Sequence, residues 1–445
     1  MDIDFCRSIP FCGEYDVIVA GGGTAGALAA IAAQRCGAKT LVIEQFGSLG
    51  GSATIGMVTP LMSLGIPDDG GHCRLSNEIT MRMRALGGTE DDHHQFDPSL
   101  LSFVLEDMAA DCKILYHSLI VDCAIENGRV AYVIVSNKDG LSVYSADYFI
   151  DATGDADLAY KAGVKCSIGD QNGIIQPVSL RFEMAGIDFG AFHAQMKELG
   201  FHGEKYFAMN CPADMARLLA QAEADGVLKH QDVVYFQAFG IPGRSDAMSF
   251  NCPELPAQIG AVSAEFISQK QREGKQAILR LRTFLQRYIR GFEHAYITAV
   301  APMIGFRESR RIDAAYVLSI QDLLNYRKFD DAVASSRYPV DIHGRDDRTL
   351  GLQYNDEIPE SERFWQVPFR TMIAKGIDNL LVAGRCAGFD FQAQSAARVQ
   401  LICRSMGEAA GVAAAYAVRQ SGRISFGSLD LQTVIKHLET FESER

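Results

Sequence analysis

Apolar positions along the chain fall into two kinds of run. Short β-branched runs bounded by glycine or polar residues, "YDVIVA" from Tyr15 and "TLVIE" from Thr40, have no polar face and predict buried parallel strands. Between them "TAGALAAIAAQRCG" predicts a helix of small residues closing at Gly37. "DPSLLSFVLEDMAADC" has helical spacing behind an Asp-Pro start. "KILYHSLIVDCAI", "VAYVIVS" and "LSVYSADYFIDATGDADLA" alternate between the turns "ENGR" and "NKDG", which predicts a β-meander. From "CSIGDQNG" to about "YNDEIPESERFW", strand-like pieces such as "PVSLRFEMAG" and "DVVYFQAFG" mix with the long helical piece "AVSAEFISQKQREGKQAILRLRTFLQRYIRGF". The last part, "DNLLVAGRCAGFDFQAQSAARVQLICRSMGEAAGVAAAYAV", returns to strand, glycine turn and small-residue helix.

The turns carry the candidate chemistry. Gly21-x-Gly23-x-x-Gly26 joins the first strand to its helix. Gly21 makes the tight turn, Gly23 lets backbone approach a pyrophosphate, and Gly26 lets helix and strand pack closely. The amides of Thr24 and Ala25 then face phosphates from the positive end of the helix. Glu44 follows Gly21 by 44 − 21 = 23 residues and ends the second strand. There it accepts ribose hydroxyls and repels a 2′-phosphate, which disfavours NADP. Beyond it, "EQFGSLGGS" runs from Gln45 to the doublet Gly50-Gly51 and Ser52. A second glycine-rich approach suits FAD, whose chain continues past the pyrophosphate, better than NAD; a merely flexible loop is the alternative. The predicted fold class is α/β. A Rossmann-like FAD-binding domain with a β-meander insertion takes residues 1–165 and 368–445, discontinuously. An inserted α+β substrate or cap domain takes residues 166–367.

Composition narrows the partners. Hydrophobic content of 48% with 22% charged residues is that of a soluble globular protein, and a net charge of −13 opposes a nucleic-acid partner. Eleven cysteines without a C-x-x-C pair read as reduced thiols and oppose a disulfide-reductase mechanism; Cys386 and Cys403 are small buried thiols on this reading. "MDIDFCRSIPFCGEYD" has no signal-peptide pattern, and no apolar run reaches the ~20 residues of a membrane span, so a cytoplasmic protein is expected. His72, His93 and His94 have no metal-ligand company, and no metal is expected.

Taken together, "GGGTAG", "EQFGSLGGS", "ATGD", "RESRRI", "YPVDIHG" and "DNLLVAGRC" resemble the FAD-dependent oxidoreductases of glutathione-reductase-like fold, related to the fumarate reductase and succinate dehydrogenase flavoprotein subunits. The resemblance implies an adenine contact through backbone near Ile120 and a second cofactor motif at Ala152-Thr153-Gly154-Asp155. It also implies a flavin loop through Gly384, Arg385, Arg398 and Val399. A helix starting near Ala396 is expected to aim its amides at the flavin edge, with Arg398 stabilising reduced flavin. No histidine stands near the second glycine segment, so dissociable FAD is expected.

For chemistry on a small-molecule substrate the first candidates are His343 and Tyr338, as general acid or base, in "YPVDIHG". Arg398, by position, matches superfamily arginines that meet a substrate carboxylate, although "QAQSAARVQ" is not the dicarboxylate pattern. Arg307, Arg310 and Arg311 suit an anionic substrate, or else form an ion-pair cluster with Glu308. No second glycine fingerprint for NAD(P)H occurs, which leaves a separate electron donor or acceptor. The competing readings are a flavin sensor and a tRNA-modifying type of flavoprotein.

Overall fold

The computed structural model describes residues 6–66, 73–90, 95–201, 206–207, 211–256, 262–344 and 352–440. His72, His93 and His94 lie outside the described residues.

Val17 to Ala20 are wholly buried, which is why a run with no polar face forms the central strand. That strand, β1 (Phe11–Ala20), leads through helix α1 (Thr24–Arg35) to β2 (Thr40–Ile43) and later β3 (Lys113–Leu115). The meander follows as β4 (Leu119–Glu126), β5 (Arg129–Asn137) and β6 (Gly140–Asp151). The sheet order is β3-β2-β1-β6-β5-β4, and the late strand Leu380–Val382 pairs parallel with the end of β6. β6 is therefore both the last meander strand and a member of the parallel sheet. Its first half pairs antiparallel with β5, and Val143 to Asp151 pair parallel with β1. This explains why β1 starts four residues before the predicted run: Phe11 to Tyr15 pair with Val143 to Ala146.

In register, Ala20 lies beside Ile43 and Asp151, and Val382 lies beside Asp151. Four strands thus end together, so Gly21, Glu44, Ala152 and Ala383 share one rim, where α/β sheets bind ligands. α1 crosses the late helix Gln400–Val418 at backbone distance: a Cβ on Gly407 would stand 2.1 Å from the Ala25 carbonyl oxygen, and one on Gly411 2.2 Å from that of Ala29. We expect Gly411→Ala to cost about 3 kcal/mol by forcing the helices apart. Thermal unfolding checks it, and an unchanged midpoint would contradict so close a crossing.

The inserted unit has its own core around Phe182, Phe250, Phe284 and Phe292, under the sheet that contains Phe182–Ala185, Gln237–Ile241, Arg244–Phe250 and Tyr296–Val300. Helix Ala264–Tyr288, capped by the Ser263 side chain, covers it. The apolar residues of that core run only from Ile175 to Ile304, with Met57 added. Leu318, Val333, Trp365 and Val367, placed in the inserted unit by the sequence reading, pack in the core of α1 and Gln400–Val418 instead. The hairpin of Ala332–Ser336 with Trp365–Pro368 carries the last three there. Among the described residues, no helix is long and apolar enough to cross a membrane, and no group of His, Cys, Asp or Glu could hold a metal ion. None of the eleven cysteines is in a disulfide.

Candidate active site

Two glycine turns face one another at the sheet rim. Gly21 has φ +85°, and a Cβ there would meet Ala152 O and the Thr153 Cα at 2.9 Å, so only glycine fits. A Cβ on Gly26 would stand 1.9 Å from Gly21 O, which seats α1 on the end of β1. Gly50 N donates to Gly22 O at 2.8 Å, and the Thr24 hydroxyl bonds Gly50 O at 3.0 Å and the Ser52 hydroxyl at 3.2 Å. Gly51 needs its φ of +54° and its missing side chain because Gly23 Cα passes 2.8 Å from where its Cβ would be. Gly23 differs. A Cβ there would meet only Ala152 O at 3.7 Å and Gly51 Cα at 4.0 Å, so no protein atom claims that space. The first intrahelical bond of α1 comes from Ala27 N, which leaves the amides of Thr24, Ala25 and Gly26 ahead of it.

Glu44 is buried, with its carboxylate accepting from the amides of Gly22 and Phe46, each at 2.7 Å. Burial raises its carboxyl above the ordinary value, and those amides pull it back. Gln45 is exposed beside it. Ser118 N donates to Glu44 O at 2.9 Å, which brings the start of the meander, and Ile120 two residues on, to this end of the rim.

The "ATGD" turn is built on a residue the sequence reading passed over. Asp151, fully buried at the end of β6, accepts from Thr153 N, the Thr153 hydroxyl and Ala159 N at 3.0, 2.7 and 2.8 Å. Burial lifts its carboxyl to about 6. Gly154 has φ +81°, and its carbonyl and the Asp155 carboxylate hold Arg385 at 2.8 and 2.7 Å. Arg385 also donates to Phe306 O at 2.9 Å, so it ties this turn to the inserted unit and to Gly384. A Cβ on Gly384 would touch Ala25 at 3.4 Å. The helix expected to start near Ala396 is broken. Phe391–Ala397 is one short helix, Arg398 caps its C-terminus, and Gln400–Val418 starts after Val399.

All four candidate catalytic residues converge. His343 is buried, with Nδ1 2.7 Å from Glu254 Oε2 and Nε2 3.5 Å from Asp341 Oδ1. Its ring meets Tyr235 edge-on at 4.8 Å. Arg307 donates to Pro177 O at 2.7 Å and lies 3.4 Å from Glu254 Oε2. Arg398 reaches the Asp341 carboxylate and carbonyl at 3.2 Å, and the Tyr338 hydroxyl lies 3.4 Å from Asp341 Oδ2. Burial and then the Arg307 charge lower the His343 pKa below its usual value. Burial alone would lift Asp341, but the neighbouring His343 and the charges of Arg398 and Arg307 hold it well below the carboxylate range. Burial raises the Tyr338 phenol. The other arginines of "RESRRI" leave this cluster. Arg310 pairs with Asp157 at 2.8 Å, and Arg311 pairs with Glu308 while donating to Gly169 O and Phe389 O. They are structural: Arg311 faces the buried Glu308, and Arg310 faces the half-exposed Asp157.

Residues 16–438 match the family model described as FAD dependent oxidoreductase. The chain belongs to that family. Over 170 residues it is 28% identical to a thiamine thiazole synthase of Methanococcus aeolicus, a stretch covering 36% of this chain and 60% of that one. Over 48 residues it is 48% identical to a dihydrolipoyl dehydrogenase of Trypanosoma brucei brucei, covering 11% and 10% of the two chains. A solved geranylgeranyl bacteriochlorophyll reductase-like protein from Thermoplasma acidophilum aligns at 14% identity and a TM-score of 0.47, over 97% of this chain and 84% of that one.

The family match implies FAD, and the rim of this chain fits FAD on its own terms. Gly23 leaves a cradle that a Cβ would fill, amides precede the first helical bond, and Glu44 closes the adenosine end. Further along, Gln400, which follows Val399, donates to Val58 O at 2.7 Å while its buried carbonyl oxygen has no partner. The sequence reading missed Asp151, Glu254, Asp341, Tyr235 and Arg181. Asp341 stands inside the quoted "YPVDIHG" and could have been named beside His343.

Proposed function

We propose that the enzyme moves a hydride between a small organic metabolite and non-covalent FAD, with His343 taking or giving the accompanying proton. The observation that carries this reading is the setting of His343. Glu254 can only accept from Nδ1, which fixes the proton on that nitrogen and leaves the Nε2 lone pair free. Asp341 Oδ1, also an acceptor, stands 3.5 Å from Nε2 without bonding it in that tautomer. When Nε2 takes a proton from a substrate hydroxyl or amine, Asp341 becomes its acceptor and stabilises the imidazolium. Arg398 and Tyr338 keep Asp341 in place for that role. Bound FAD supplies the two-electron acceptor or donor. A separate donor or acceptor then restores it.

The test is anaerobic. The purified, flavin-loaded protein is mixed with hydroxy acids, polyols, sugars and amines while flavin absorbance is followed. At least one class is expected to bleach it, and acid is expected to release all the flavin from the precipitated chain. A flavin that no metabolite bleaches would favour a sensor.

A further inference from the structure

Arg181 is a buried cation that no acid among the described residues bonds. It interrupts the predicted strand "PVSLRFEMAG", between the strand pieces Val178–Ser179 and Phe182–Ala185. The residue is 3% exposed. Its Nη2 reaches the Thr59 and Ser249 hydroxyls at 3.5 and 3.2 Å, while Nε and Nη1 have no hydrogen-bond partner among the described residues. Glu183, the acid nearest in sequence, pairs with Arg244 at 3.1 Å instead. A desolvated guanidinium in this state is costly unless an anion completes it, and its pKa is pushed down to about 10 by burial.

The place of Arg181 says which anion. Ser179, two residues before it, is in register with Glu254, whose carboxylate holds His343. The charges of Arg181 and Arg307 both bear on Tyr235, the ring packed against His343. Other donors around this group are also without partners: Gln176 Nε2, Ser179 Oγ and Arg398 Nε. Gln176 is anchored by accepting from His343 N at 3.2 Å. Against these donors stand three unpartnered acceptors among the described residues around this group, on Gln394, Gln400 and Glu183, and the Glu183 charge bears on Arg181. So donor-rich a group suits a negatively charged ligand.

We propose that Arg181 anchors a carboxylate of the substrate, so that the metabolite oxidised or reduced beside His343 is an organic acid. This rests on the reading of the His343 cluster as the substrate site. Flavin-loaded protein is titrated with propionate and benzoate, with their amides, and with inorganic phosphate, following flavin difference spectra and the melting temperature. The acids are expected to bind and the amides not to bind. Arg181→Met should weaken the acids about thirtyfold, and Arg181→Lys, which keeps the charge, should weaken them less.

The ligand-free melting point separates this role from a structural one. Losing an uncompensated buried charge should raise the melting point of Arg181→Met by about 2 °C or more, whereas a structural arginine would lower it. Equal binding of acids and amides to the wild type, tighter binding of phosphate than of the acids, or a lowered melting point in Arg181→Met would each overturn the proposal. The two readings fail separately. Acids that bind through Arg181 without any metabolite bleaching the flavin would leave the anchor and remove the redox role of His343. Bleaching by a neutral polyol, unchanged in Arg181→Met, would do the reverse.

Discussion

Gly26→Ala is expected to abolish the folded enzyme, whereas Gly23→Ala, three residues away, is expected to weaken only its flavin binding. At Gly26 the new methyl would lie 1.9 Å from the Gly21 carbonyl oxygen and 3.0 Å from the Ala152 Cβ. Neither the end of β1 nor the start of α1 can retreat, because a Cβ at Gly21 or Gly51 is already excluded by backbone atoms within 3 Å. At Gly23 the methyl meets protein only at ordinary contact distance, and the backbone, with φ −69°, suits alanine. What it enters is the space left for the pyrophosphate. The Gly23→Ala protein should therefore melt as wild-type apoprotein does and bind FAD about a hundredfold more weakly, some 2.7 kcal/mol. Flavin titration with melting curves on both variants checks the pair. Wild-type FAD affinity in Gly23→Ala would place the cofactor elsewhere.

His343→Ala is expected to slow flavin reduction by about 10²- to 10⁴-fold, the usual yield of one proton-transfer group. The pH profile should carry the same signature. A neutral imidazole is the competent base, so the rate should rise with pH through the His343 pKa and then level. That limb should lie below the ordinary histidine value, because burial and Arg307 disfavour the charged ring. Asp341 raises the His343 pKa, so Asp341→Asn should move the limb to still lower pH. A limb that stays in place in Asp341→Asn would remove Asp341 from the proton path.

How much of this was legible in sequence follows from the range of each constraint. Gly21, Gly23, Gly26 and Glu44 answer to one strand–turn–helix unit, so spacing alone places them. Gly50 and Gly51 were legible because a glycine doublet beyond a strand has few uses. The His343 cluster was half legible. His343, Asp341 and Tyr338 share six residues of chain, but Glu254 is 89 residues from His343 and joins it only through the antiparallel pairing of Glu254–Leu255 with Val178–Ser179. Arg181 lies unmarked inside the strand-like piece "PVSLRFEMAG", because the break at Leu180 and Arg181 leaves no trace in the apolar pattern. The helix break before Gln400 was hidden too: Val399 neither stops nor caps a helix by composition. Nor does composition mark where the inserted unit ends, since Leu318 to Val367 carry apolar residues that either core could take.

The pairing of the flavin cradle with the His343 cluster in one reaction is tested most directly by anaerobic stopped-flow reduction of the wild type and His343→Gln, each with full FAD. The metabolite used is whichever bleaches the wild type. A rate at least about a hundredfold lower in the variant, with flavin content and melting point unchanged, is the predicted result. Equal rates in the two proteins would contradict it, and the proton site would have to be sought away from Glu254, Asp341 and His343.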